Sequence, residues 1–227
     1  MFGVQFINSV GDSNTLLSSE TAGLVPQSNF NPVAGATGID VALKDETGTT
    51  TTTLLSYSAK GNFRVNSTTP ASPDEKLNSP LINGTNGTQP TFSLSAIPFQ
   101  LYDLIVYTLN DGPRSQRITL TGIGAFTVNS PNPSLSGYRD GNVNTAYIYT
   151  QGTTNDITPV TNSNYVRFTG LTASSLTISS EARPSVFGPQ NDNGFINGFQ
   201  IVQIPEPTSL SLLGICGTLA LLRRRRA

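Results

Sequence analysis

The chain has 227 residues, 12% of them charged, with 13 basic against 14 acidic side chains, and it contains neither histidine nor tryptophan. The missing histidine excludes Ser-His-Asp and Cys-His catalysis and every histidine-ligated zinc site, and a single cysteine, Cys216, excludes an intrachain disulfide or a cysteine-cluster metal site. Four of the basic residues are Arg223–Arg226, so the remaining nine face 14 acidic ones, and a nucleic-acid footprint is absent from the body.

The body shows almost no helical periodicity. Period-two alternation recurs between Gly, Pro, Asn and Asp clusters. Met1–Asn8 runs directly into such a pattern, with Val4, Phe6 and Ile7 as a first strand. An exported protein is expected to open on a basic and then an apolar leader, so the expectation is a true start upstream of Met1, a trimmed sequence being the alternative. Gly38–Lys44 alternates through Ile39, Val41 and Leu43, and Thr49–Thr53 leads into Leu54–Tyr57. Five consecutive threonines favour a strand, because β-branched side chains lose rotamer freedom in a helix.

Ser67–Pro80 and Asn83–Pro90 read as long loops, with one helical turn expected at Lys76–Ile82. Phe92–Ile97 alternates, and Leu101–Tyr107 is apolar enough to be a central strand covered on both faces. Gln116–Thr121, Ala125–Asn129, Ala146–Thr150, Tyr165–Thr169 and Ser174–Ser180 continue the series. Phe195–Ile204 closes it, with Ile196, Phe199, Ile201 and Ile204 facing inward. Roughly ten short strands with turn-rich links predict an all-β body at 1–204, an antiparallel sandwich or jelly roll.

The tail, residues 205–227, is a separate unit. Pro205 and Pro207 end the last strand, since neither can donate to a ladder. Thr208–Leu222 is uncharged and is followed by Arg223–Arg226. As a helix, 208–222 would be about 22 Å long, short of a hydrocarbon core of roughly 30 Å. Snorkelling arginines and local thinning extend that reach. The positive-inside rule puts the arginines in the cytoplasm and the β-body outside.

Pro205-Glu206-Pro207, a small-and-apolar segment and a terminal arginine cluster, in that order and spacing, resemble the PEP-CTERM sorting domain of bacteria. The resemblance covers Ile204–Ala227. It implies recognition and processing by exosortase, a membrane-embedded cysteine-type protease or transpeptidase that accompanies exopolysaccharide production in biofilm- and floc-forming bacteria. On that resemblance this chain is the substrate. Pro205, Glu206 and Pro207 are the sorting motif, and Arg223, Arg224, Arg225 and Arg226 the membrane stop. Cys216 reads as a small apolar helix residue, lipidation being the alternative. More loosely, the opening Gly3–Asn8 and the closing Ile196–Val202 resemble the first and last strands of galactose-binding-like jelly rolls.

Three groups in the body are candidate sites. Gln190–Gly194 is an oxygen-rich turn whose Asn191, Asp192 and Asn193 are calcium candidates, an ordinary turn being the preferred reading. Phe63, Tyr138 and Phe187 are loop aromatics that a sugar could stack on, with packing preferred. Asp45, Glu46, Asp74, Glu75, Asp103, Asp111, Asp140 and Glu181 are the carboxylates a glycosidase would need in a facing pair. Asp103, inside an apolar strand, is the one to inspect, and the other paired carboxylates read as solvated turns. The sequons at Asn66, Asn83 and Asn86 read as surface loops. The expected function is therefore structural or adhesive and not enzymatic, with no cofactor. A carbohydrate-binding module acting on exopolysaccharide is the first alternative, and a surface hydrolase the second.

Overall fold

The computed structural model describes residues 1–64, 72–84, 89–109, 114–130, 148–154, 163–183 and 194–205. They are mostly strand. In chain order they are β1 (Phe2–Ile7), β2 (Asn31–Ala34), β3 (Thr37–Lys44), β4 (Thr50–Ser58), β5 (Gly61–Arg64), α1 (Pro73–Asn78), β6 (Pro80–Asn83) and β7 (Thr91–Ser95). Then come β8 (Tyr102–Tyr107), β9 (Arg114–Leu120), β10 (Gly124–Ser130), β11 (Tyr165–Leu171), β12 (Leu176–Arg183), β13 (Phe195–Ile196) and β14 (Gly198–Gln203).

A five-stranded sheet has the order β11-β8-β14-β1-β2, a six-stranded sheet the order β10-β9-β12-β7-β4-β3, and a small sheet the order β13-β6-β5. All named pairings are antiparallel except β1 with β2. The two larger sheets share one core, in which Phe6, Leu104 and Phe199 of the first meet Leu55, Phe92 and Ile178 of the second.

Strand β8 lies between β11 and β14 and is buried along its whole length. Side chains alternate across a strand. Tyr102, Leu104 and Val106 therefore enter the shared core, while Ile105 and Tyr107 join a second cluster on the opposite face with Leu16, Phe30 and Leu77. That outer face is covered by residues 8–30, a long strap between β1 and β2, and by α1. Double coverage of Leu101–Tyr107 is what its near-continuous apolar run predicted.

Amide side chains pin the strap to the sheet. Gln5 donates from Nε2 to the carbonyls of Asn14 (2.7 Å) and Lys76 (2.8 Å), and its Oε1 accepts the Leu16 N–H. Gln200 donates to Val25 O at 2.8 Å. Tyr107 Oη donates to Gln200 Oε1 and accepts the Leu24 N–H. Buried amides in a sheet face are costly unless satisfied, so these partners decide where the strap lies. At Gly23, φ is +96° and a Cβ would sit 2.4 Å from Gln200 Oε1, so only glycine fits this bend.

Burial pushes the Tyr107 hydroxyl far above its ordinary value of 10.0 and raises Tyr102 to about 12. Below pH 10 both states keep the proton. Above it the unfolded chain releases protons that the native state retains, so stability falls as pH rises. In an absorbance titration at alkaline pH, the Tyr107 phenolate is expected only together with loss of near-ultraviolet dichroism. Full ionisation of every tyrosine in a still-native protein would contradict this burial.

Several expectations need correction. Ile39 points out and is 84% exposed. The β3–β4 register shifts between Gly38 and Val41, with Asp40 at φ +50°, and the bulge reverses the inward–outward parity. The helix is at Pro73–Asn78, not Lys76–Ile82, and Pro80–Asn83 is a strand. Ser72 caps it, accepting the Glu75 N–H at 3.2 Å, and Pro73 occupies its first turn. Ile148–Thr150 is not strand, and Ala146 and Tyr147 lie outside the described residues. The closing segment divides at Asn197, where the chain leaves the small sheet for the five-stranded one. Strands β2 and β5 were not anticipated; Pro32 argues against a strand, and it is tolerated because β2 is an edge.

Candidate functional site

An open groove of about 820 Å³ lies where the strap, the edges of both large sheets and α1 converge. Its apolar wall includes Ile7, Val10, Leu17, Val33 and Val41, and its polar side chains are Asp12, Ser13, Thr15, Tyr57 and Lys76. Val10 is 90% and Leu17 60% exposed, so the wall continues onto the surface. The strap turns here because Asp12 Oδ1 accepts the Asn14 N–H at 2.9 Å, an Asx turn.

Each charge at the groove has a partner. Asp12 pairs with Arg64 of β5, and Lys76 of α1 pairs with Glu20 at 2.5 Å. Burial alone would raise the Glu20 carboxyl, but the hydrogen bonds from Lys76 and the Leu17 N–H outweigh it and hold it below its ordinary value. By contrast, Asp12 Oδ2, Thr15 Oγ1, Arg64 Nε and Asn62 Oδ1 are buried with no hydrogen-bond partner among the described residues. Sequence reasoning missed this group. Asp12 and Arg64 are 52 residues apart in the chain, and Gly11–Asn14 carries no signal beyond a turn.

Asp103 is buried on the outer face of the five-stranded sheet, and both its oxygens are committed. Arg167 donates to Oδ2 from Nε at 2.8 Å and from Nη2 at 2.5 Å, and Gly170 N–H donates to Oδ1 at 2.9 Å. The ion pair fastens the irregularity in β11 between Phe168 and Leu171. Asp103 thus has a structural role.

Asp45 does form the expected turn, accepting the N–H groups of Thr47 (2.9 Å) and Thr49 (3.0 Å). The Thr47 hydroxyl above all holds its carboxyl below the ordinary range. Glu46 binds the Met1 amine at 2.6 Å. The Asp74-Glu75 pair is not a solvated turn: Glu75 is 1% exposed, and Asp74 accepts the Gly23 N–H and the Tyr149 hydroxyl, both at 2.8 Å. Asn83 ends β6 and is not in a loop. Phe63 is 57% exposed on β5. Tyr138, Phe187, Asp111, Asp140, Asn66, Asn86 and the calcium candidates Asn191, Asp192 and Asn193 lie outside the described residues. Among the described residues no group of three or more acidic or cysteine side chains is placed to hold a metal.

The other functional end of the molecule is where β14 finishes. Ile204 N–H still donates to Leu101 O at 2.9 Å, and the next residue, Pro205, is exposed. The first residue of the Pro-Glu-Pro motif therefore follows the last sheet hydrogen bond with no spacer. Residues 203–226 match the PEP-CTERM protein-sorting motif. The PEP-CTERM motif implies exosortase-dependent sorting to the cell surface, with export and membrane-anchored transit before processing. Glu206, Pro207, Cys216, the 208–222 segment and Arg223–Arg226 lie outside the described residues. Among the described residues no helix is long and apolar enough to cross a membrane.

No curated protein matches the chain that carries this PEP-CTERM tail. Among solved structures it is similar to the plant receptor-like kinase ANX2, at 14% identity and a TM-score of 0.43. It is similar also to the ANXUR1 extracellular domain from Arabidopsis thaliana, at 16% identity and a TM-score of 0.41. Both alignments cover 91% of this chain and 48% of the other, so the chain spans about half the length of either.

Proposed function

We propose that this is an exported cell-surface or extracellular-matrix protein of structural or adhesive type, whose PEP-CTERM tail is the substrate of exosortase. The body is residues 1–204, a sandwich of the galactose-binding-like or jelly-roll kind, and the tail is 205–227. It is not an enzyme. The observation that carries the reading is the hand-over at Ile204 and Pro205. A sorting signal that starts one residue after the sheet holds the body against the membrane surface, where an embedded protease works. Two prolines keep the motif extended, and Glu206 is the charge available for recognition. The apolar 208–222 segment crosses or enters the bilayer, with Arg223–Arg226 on the cytoplasmic side.

The test uses a host with a functional exosortase. Glu206→Ala and a chain lacking Arg223–Arg226 are expected to accumulate uncleaved in the membrane fraction, while the wild type is processed and reaches the surface. Wild-type cleavage and surface display in both variants would overturn the reading.

A second reading, a carbohydrate-binding module acting on exopolysaccharide, is favoured by the open groove, whose wall sets the exposed Ser13 beside aliphatic side chains.

A further inference from the structure

We infer that the end of the body from which the tail leaves is a contact surface for the headgroup layer of a phospholipid bilayer, formed by its uncharged connections. The inference rests on the membrane-anchored tail proposed above and adds which residues the bilayer meets. Four described connections close this end: 45–49 between β3 and β4, 96–101 between β7 and β8, 121–123 between β9 and β10, and 172–175 between β11 and β12. Hydrogen bonds tie three of them to the tail exit. Leu101 O accepts the Ile204 N–H at 2.9 Å, Ala173 O accepts the Tyr102 hydroxyl at 2.6 Å, and Ser174 O accepts the Ile97 N–H at 3.0 Å. Thr121 N–H donates to Thr177 O at 3.0 Å, which sets the 121–123 turn beside 172–175.

Reach brings this end to the headgroup layer. The step from Pro205 to Thr208 spans at most about 11 Å when fully extended, and the headgroup layer on one side of a bilayer is roughly 5–8 Å thick. With 208–222 in the hydrocarbon, the connections around Pro205 stand at the outer edge of that layer or within it. Composition decides which of them enter. Residues 96–101, 121–123 and 172–175 contain no Asp, Glu, Lys or Arg. Ile123 is 51% exposed at a hairpin tip, a place where turn chemistry favours polar residues, and Ala96, Pro98 and Ala173 are exposed in the neighbouring connections. Half-buried Phe99 stacks on Phe2 with ring centroids 5.6 Å apart. The β3–β4 turn differs, because Lys44, Asp45 and Glu46 follow one another there. The six-stranded sheet has β9 and β10 at one edge and β4 and β3 at the other. Charges resist leaving water and uncharged loops do not, so the body leans on the 121–123 and 172–175 side and lifts the acidic corner.

The opposite end fits poorly. Val10 and Leu17 are more exposed than Ile123, but they stand with the charged Asp12, Glu20, Arg64 and Lys76. Strand β1, six residues and roughly 17 Å long, separates them from the tail exit.

The chain has no tryptophan, so a single introduced indole is a unique reporter. Ile123→Trp, Ala173→Trp, Thr49→Trp and Val10→Trp, each at an exposed position, are made in the full chain. Each is placed in phosphatidylcholine nanodiscs with and without a nitroxide on the headgroups, with no other protein present. The nitroxide is expected to remove most of the emission in Ile123→Trp and Ala173→Trp, less in Thr49→Trp and none in Val10→Trp. Adding Ile123→Glu to the Ala173→Trp chain is expected to reduce the loss, because an acid lifts that side from the lipid. Equal loss in Ile123→Trp, Ala173→Trp and Thr49→Trp would overturn the inference, since a body that merely swivels on its tether gives that result. The greatest loss in Val10→Trp would also overturn it. No loss at either uncharged connection of a nanodisc-bound chain would overturn it too, and would leave the protease as the occupant of this surface. Failure of the unmodified chain to enter nanodiscs at all would overturn the membrane reading of the tail as well, so the two failures are told apart.

Discussion

Phe6→Ala is expected to lower the stability of the body by about 3–5 kcal/mol. Phe6 is 1% exposed, and its ring centroid is 4.9 Å from Phe92, 5.9 Å from Tyr57 and 6.2 Å from Phe199. Phe199 belongs to the five-stranded sheet, and Tyr57 and Phe92 to the six-stranded one. One truncation therefore removes the ring that joins both sheets. The loss combines the transfer of a buried aromatic with the cavity left between two sheets that cannot collapse fully, and each aromatic pair adds about 0.5–1.5 kcal/mol. Phe63→Ala is the control: its ring is 57% exposed, and the change should stay within about 0.5 kcal/mol. Urea unfolding followed by tyrosine fluorescence measures both. Equal effects at the two positions would contradict the core as described.

Asn197→Ala is expected to cost at least about 3 kcal/mol, although it removes only a small polar side chain. Asn197 Nδ2 donates to Asn78 O at 2.7 Å and Pro80 O at 2.8 Å, and Oδ1 accepts the Leu109 N–H. The residue is fully buried where β13 hands over to β14. Truncation strands two carbonyls and one N–H, and each unsatisfied buried group costs about 1–3 kcal/mol. The same side chain joins α1, β6 and the end of β8 to the central strand. Hydrogen exchange should therefore quicken first in Asn78–Ile82 and at Leu109. A loss below about 1 kcal/mol, with exchange unchanged there, would mean that water substitutes for the amide.

The fold was legible wherever a local pattern and its burial agreed. Phe92 and Leu94 alternate with exposed Ser93 and Ser95 in β7, as the sequence predicts. Leu101–Tyr107 announced a strand covered on both faces, because it has almost no wet side. The reading failed where a backbone irregularity or a distant partner intervened. Alternation alone puts Ile39 inside, because nothing in Gly38–Lys44 shows the bulge at Asp40. Asp74 and Glu75 read as solvated because their partners, the Gly23 N–H and Tyr149 for Asp74, are far away in the chain. Asp103 drew attention as an acid in an apolar run, and only the pairing of β8 with β11 shows it answered by Arg167.

What the sequence determined by itself is the tail and the strand content. The PEP-CTERM signal is linear: Pro-Glu-Pro, an apolar segment and four arginines must be read by a protease and a bilayer as a contiguous string, so order and spacing suffice. Strand content is local too, since period two and β-branched side chains act within a few residues. The tertiary structure decided the strap, the groove and the role of each buried polar group. Gln5, Gln200 and Asn197 look like ordinary polar residues of a wet strand face. They become structural because a 23-residue connection, 8–30, and the short helix fold over that face and deprive it of water. The groove likewise exists only where residues from the strap, β2, β3 and α1 meet.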